Sequence, residues 1–175
     1  YNEFKSRQIP VSRNSLSDLL EYYEDAYLLF SVPEFTRSLA NNMRSASKVY
    51  AVDPAMFGAF SPASALDQGQ RLETAVFNAL RRRTPAVRIG SVCRLLIKEK
   101  SKSHEVDFVA GDALLMRAYS LIQVSVDMAS EKTREREIAA LDASMAQFDL
   151  GESAIVTMDE QADIPCEHGV VHVVP

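Results

Sequence analysis

An ionisable residue in the middle of an apolar strand narrows what this chain can fold into. Asp107 lies inside the run Glu105-Val-Asp-Phe-Val-Ala110, where a carboxylate needs either solvent or partners. Period-2 alternation places Glu105, Asp107 and Val109 on one face and Val106 and Phe108 on the other. The next apolar run, Leu121 to Val126, repeats the motif: Ile122, Val124 and Val126 share one face, and Leu121, Gln123 and Ser125 the other. Two neighbouring strands with polar side chains set among apolar ones suggest a site built on a sheet.

The segments around these strands set the class. Residues 66–83 form an amphipathic helix with Leu72, Val76, Phe77 and Leu80 on one face and Arg81-Arg82-Arg83 at its C-terminus, where positive charge suits the macrodipole. Strands follow at 91–98, 105–110 and 119–126, with Gly111-Asp112 as a turn signal. A charged helix over 131–148 ends near Gly151, and strands follow at 153–158 and 170–174. This order predicts an α/β core with a mixed central sheet flanked by helices.

Upstream, a helix is expected over 12–31, with Ser15 as N-cap, and a weaker one over 33–44. Residues 48–52 read as a short strand stopped by Asp53-Pro54, followed by a short helix carrying Met56, Phe57 and Phe60 and by a loop at 61–64. The reading is a helical segment over 1–46 and a core domain over 47–175.

No apolar run is long enough to span a bilayer, and Lys5, Arg7 and Arg13 do not lead into a signal-like stretch. Cys93 and Cys166 have no framework or metal spacing and read as small apolar residues of a cytoplasmic protein. His104, His168 and His172 show no zinc spacing. The chain begins with Tyr1 rather than Met and is expected to be part of something longer. A net charge of −5 argues against non-specific coating of nucleic acid. Yet residues 81–102 hold eight basic residues and one acid, Glu99. Arg81, Arg82, Arg83, Lys98 and Lys100 in that stripe are the candidates for phosphate contact, with DNA as the partner.

The chemistry such residues suggest is metal-assisted phosphodiester cleavage, in which clustered carboxylates hold a hard cation and a lysine stabilises developing charge. The run Gly69-Gln-Arg-Leu-Glu73-Thr-Ala-Val76, then Glu105-Val-Asp107-Phe-Val, then Leu121-Ile-Gln123-Val-Ser125, resembles the restriction-endonuclease-like PD-(D/E)XK superfamily. More narrowly it resembles the C-terminal domain of a family of prokaryotic AAA+ ATPases. Asn14 to Leu20 and Ala26 to Val32 resemble the end of the winged-helix-like segment that precedes it. Lys48 to Pro54 resembles the strand that opens the core.

The resemblance implies a restriction-endonuclease-like core with Glu73, Asp107 and Gln123 as catalytic positions. It also implies Glu73 and Asp107 as ligands of Mg or Mn, and an ATPase region in the parent protein. Gln123 and Ser125 fall where the family has an acid and a lysine, so the metal site reads as degenerate and the module as one that binds nucleic acid or a protein. An active Mg/Mn-dependent nuclease is the alternative, with Lys132, Arg134 or Arg136 as candidates to replace the lysine. No phosphate-cradling glycine loop is present, so ATP hydrolysis is not expected within these residues.

Overall fold

The computed structural model describes residues 2–38, 47–56, 68–83, 92–98 and 103–175. Among these residues four helices, α1 (Asn2–Ser6), α2 (Arg13–Asp25), α3 (Gln68–Arg83) and α4 (Glu131–Phe148), accompany eight strands. The strands are β1 (Leu29–Val32), β2 (Lys48–Ala51), β3 (Val92–Lys98), β4 (Ser103–Asp112), β5 (Arg117–Val124), β6 (Glu152–Val156), β7 (Ala162–Pro165) and β8 (Val170–Val174). The expected α/β class and mixed sheet are present. Six strands run in the order β3-β4-β5-β6-β8-β7, and β1-β2 form a small second sheet.

Hairpin links make β3, β4 and β5 antiparallel, whereas β5 meets β6 in parallel. A parallel neighbour requires a crossover, and α4 supplies it. Short β7, which the sequence did not suggest, closes the far edge against β8. Asp163 and Pro165 give it the charged, donor-poor character of a guarded edge.

Two apolar clusters occupy opposite faces of the sheet. Leu141 and Met145 of α4 pack with Leu95, Val106, Val109, Leu121, Ile155 and Val171 in one. Phe77 of α3 packs with Val32, Tyr50, Phe108 and Ile122 in the other. This corrects the alternation expected in β4, because Val106 and Phe108 lie in different clusters. The register gives the reason: Cys93 faces Val109 and Leu95 faces Val106, so β4 carries one residue more than β3 between these pairs. That extra residue is a β-bulge at Asp107 and Phe108, and it re-aims both side chains.

The N-terminal segment departs most from expectation. Ser12, not Ser15, caps α2, its Oγ accepting from the Ser15 N–H at 3.0 Å. The helix stops at Asp25 because Tyr27 turns into the left-handed region at φ 57°. Residues 29–31, expected to be helical, instead pair together with Val32 against β2, Phe30 opposite Tyr50. Pro33 to Ser38 are not helical either: the Pro33 carbonyl accepts from the Arg94 N–H at 2.9 Å, and the Phe35 N–H donates to the Arg94 carbonyl at 2.7 Å. The boundary placed between residues 46 and 47 therefore falls between two paired strands. Gly111 and Asp112 remain in β4, and the turn is made by residues 113–116, with Met116 at φ 52°. Phe57, Phe60, the rest of the helix expected there and the loop at 61–64 lie outside the described residues. Among the described residues no helix is long and apolar enough to cross a membrane.

The entry into β8 depends on a close backbone approach. A Cβ on Gly169 would lie 2.2 Å from the Gly151 carbonyl oxygen, whereas one on Gly151 meets nothing within 4 Å. Gly169→Ala is expected to cost about 1–3 kcal/mol through forced backbone shifts. Gly151→Ala should cost clearly less, and urea unfolding of the two variants checks the contrast.

Candidate active site

Aromatic packing brings the site together. Tyr50 of β2 stacks on Phe77 of α3 at 4.7 Å between centroids and meets Phe108 of β4 at 5.4 Å. Asn78 also donates its amide to the Ala51 carbonyl at 3.1 Å. Aromatic pairs contribute roughly 0.5–1.5 kcal/mol each beyond buried area, so this cluster fixes β2 more firmly than a half-exposed ion pair would. Lys48 lies two residues before Tyr50 on the same strand, so its side chain is carried to the acid of β4.

There the Lys48 ammonium meets three carboxylates. Its Nζ is 2.9 Å from Glu73 Oε1, 2.8 Å from Asp107 Oδ1 and 3.1 Å from Glu105 Oε1. Glu73 Oε1 and Asp107 Oδ1 accept hydrogen bonds from the ammonium, whereas Glu105 Oε1 stands in ion-pair contact only. Glu73 Oε1 also accepts from the Tyr50 hydroxyl at 2.6 Å. Burial works to lower the Lys48 pKa, but Asp107 and Glu73 outweigh it and hold the pKa raised. Burial and the Glu73 carboxylate raise the Tyr50 pKa, so Tyr50 acts as a hydrogen-bond donor rather than a base. Asp107 is pushed up to about 6 by burial, with Glu73 adding and Lys48 opposing.

Gln123 lies beside Asp107. Beyond the Phe108–Ile122 pair the β4–β5 ladder is continued by side chains. The Asp107 N–H donates to Gln123 Oε1 at 3.1 Å, and the Val124 N–H donates to Asp107 Oδ2 at 3.1 Å. An N–H facing the amide fixes its orientation, oxygen toward Asp107. The Gln123 side-chain carbonyl thus holds the backbone of the central aspartate. Ser125 donates to the Asp127 carbonyl at 2.7 Å and takes no part in the cluster.

Glu73, Asp107 and Gln123 are therefore brought together, joined by Glu105, Lys48 and Tyr50. Lys48, rather than a residue of α4, is the cation in contact with these three carboxylates. Lys48 and Tyr50 alternate on one strand, but the sequence alone does not say that this strand packs against the helix carrying Glu73. Of the other three candidates, Arg136 lines the cleft over this cluster, whereas Arg134 lines a separate hollow and Lys132 is exposed. The cleft holds about 300 Å³ between β2, β4, β5 and α4, and His104 also lines it.

Among the described residues the basic stripe does not form one track. Arg94 is buried and pairs with Glu105 at 3.7 Å. Arg81 stacks over the Phe30 ring, 3.6 Å from its centroid. Arg82 and Arg83 are exposed at the end of α3, about 12 Å or more along the helix from Glu73 at 1.5 Å per residue. Lys98 closes β3, and Lys100 lies outside the described residues. The Cys93 thiol is pushed up to about 12 by burial, which fits an inert core residue. His172 pairs with Asp163 at 2.7 Å, and His168 joins Asp142 and Glu167 in a surface group whose ligand atoms lie within 4.8 Å of one another.

No family model matches the chain, and no solved structure matches it. It is similar to an uncharacterized protein of Methanocaldococcus jannaschii, 34% identical over 150 residues, or 85% of this chain and 31% of the relative. The chain thus spans less than a third of that relative's length.

The raised pKa of Asp107 has a defined sign for stability. An unfolded aspartate titrates near ~4, so the folded chain holds this proton more tightly. The group's contribution is complete below that value and is lost as pH rises through about 6. Because Lys48 opposes the rise, Lys48→Met should move the window of loss upward. In urea unfolding, the variant is expected to lose more stability than wild type between pH 5 and 7. Equal losses in the two proteins would show that Lys48 and Asp107 are not coupled.

Proposed function

We propose that the chain is a restriction-endonuclease-like module whose cleft hydrolyses phosphodiester bonds with Mg or Mn. The observation that carries this reading is the convergence of Glu73, Glu105 and Asp107 on Lys48 Nζ within 3.1 Å. A hard cation takes oxygen donors, and these three carboxylates provide them. The fit has a condition. The carboxylates stand at hydrogen-bonding distance from an ammonium, so a cation enters only as Lys48 swings off on its flexible four-carbon stem. A bound cation supplies Lewis-acid polarisation of the scissile phosphate and an activated water.

The protein's own groups have separable tasks in this reading. Asp107, anchored at its backbone by Gln123 and at Oδ2 by the Val124 N–H, presents Oδ1. Glu73 is oriented by the Tyr50 hydroxyl. Lys48, once displaced, places its charge against a non-bridging phosphate oxygen. Net charge adds a constraint: the cleft is lined by the carboxylates of Glu105, Asp107 and Glu137 against the cations of Lys48 and Arg136. A phosphate is repelled until a divalent cation reverses the balance, so binding near Asp107 should depend on that cation.

Gln123 favours a second reading. Its oxygen is committed to the Asp107 N–H and the position carries no negative charge, which fits a weak metal site in a module that binds nucleic acid or protein without cutting. The attachment to an ATPase region rests on the sequence resemblance, and the cytoplasmic location on the cysteine usage.

The test is cleavage of circular single- and double-stranded DNA with Mn²⁺. Wild type should nick and linearise it, Asp107→Ala should abolish this, and Lys48→Ala should lower the rate by about a hundredfold or more. The rate should fall as pH drops below about 6, where Asp107 takes up a proton that the cation must displace. No cleavage by wild type would leave the binding module as the reading.

A further inference from the structure

The cleft has a wall on α4 that the carboxylate cluster does not use. Arg136 and Glu137 both line it, in contrasting surroundings: the Arg136 side chain is 69% exposed and that of Glu137 6%. Arg136 donates to Glu137 Oε1 from Nε at 3.2 Å and also from one Nη. Successive helix residues diverge by about 100° at 3.6 residues per turn, so a free Arg136 would extend into solvent away from its neighbour. The buried carboxylate draws the guanidinium back over the cleft. Burying a carboxylate is costly unless it is paired, which keeps this arm in place.

A held guanidinium is a particular kind of tool. It has five N–H donors in a planar fork, and those not given to Glu137 remain for a ligand. The fork matches two oxygens of a phosphate, and holding it in advance reduces the entropy lost on binding. Its field also reaches the floor of the cleft: Glu137 raises the Arg136 pKa most, burial opposes, and Asp107 adds to the rise. Lys48 and Arg136 are the two cations lining the cleft among the described residues. Lys48 is already engaged by three carboxylates, which leaves Arg136 to meet the substrate first.

We propose that Arg136, oriented by Glu137, is the anchor for a backbone phosphate next to the bond presented to Asp107, and that the cleft therefore takes a nucleic-acid strand rather than a lone phosphate ester. This rests on the phosphodiesterase reading above. Arg136 contacts substrate, whereas Glu137 is a positioning residue that acts through it. An arginine that only closed a surface ion pair would contribute little and would leave substrate binding untouched.

The experiment measures Kd for a fluorescein-labelled oligonucleotide in Ca²⁺ over a salt series, and KM and kcat for Mn²⁺ cleavage. The variants are Arg136→Ala, Arg136→Lys, Glu137→Gln and, as control, Asp107→Ala. Arg136→Ala should raise Kd and KM about tenfold, leave kcat within about threefold, and reduce the salt slope by about 0.9, the value of one phosphate contact. Arg136→Lys, which keeps the charge but loses the fork, should recover part of the affinity, and Glu137→Gln should fall between Arg136→Ala and wild type. An isolated phosphate monoester should compete only weakly.

Unchanged Kd and salt slope in Arg136→Ala would overturn the proposal, as would a loss confined to kcat. Failure of the parent reading looks different: cleavage absent in wild type or retained in Asp107→Ala, whatever Arg136 does to Kd. Arg136→Ala leaves the buried Glu137 carboxylate unpaired, so Arg136→Lys, which keeps a cation beside it, and the double variant Arg136→Ala/Glu137→Gln, which leaves no buried charge, decide the matter if the single variant does not fold.

Discussion

One lysine ties the candidate site to the fold. Lys48 reaches carboxylates from α3 and β4 at once, and each of these acids sits on an element that packs against its neighbours for independent apolar reasons. Removing the ammonium would leave like charges a few ångströms apart in a half-buried setting, where effective dielectric is lower than in water. The cluster is thus balanced rather than merely acidic. A cation that displaces Lys48 must gain more from Glu73, Glu105 and Asp107 than the ammonium gives up. In the proposed reading a cation competes both with Lys48 and with the proton that burial favours on Asp107.

The aromatic group of Tyr50, Phe77 and Phe108 is what makes this balance dependable. Its three rings belong to β2, α3 and β4, the same three elements that carry Lys48, Glu73 and Asp107. Packing precision in the rings therefore becomes positional precision in the charges. Tyr50 belongs to both systems, apolar at its ring and polar at the hydroxyl that meets Glu73.

Elements with strong periodicity were legible in the sequence. The helix at 68–83, the strands at 92–98 and 117–124 and the helix at 131–148 lie close to their expected ranges, because each buries one face and its pattern states which. The segment around residues 29–38 was not legible: Leu29 to Val32 fits a helical period equally well, and only the backbone partners offered by β2 and β3 decide for extended structure. Short, polar β7 carries almost no apolar signal. In the candidate site, Asp107 stands out as an acid inside an apolar strand, whereas Glu73 enters only through the resemblance. Lys48 does not stand out, since it gains a role only when β2 docks on α3. Arg94, one of the eight basic residues over 81–102, is buried beside an acid, which a count of charges along the sequence does not show.

The bulge in β4 has a consequence for how such a site can arise or be lost. The directions of Asp107 and Phe108 depend on one surplus residue opposite Arg94 rather than on the identity of either side chain. Deleting one residue there would restore regular pairing, swing a carboxylate into an apolar layer and pull an aromatic ring out of the cluster on the other face. Point substitution cannot make or unmake that geometry. In lineages descending from such a chain, the length of this strand should drift far less than its composition.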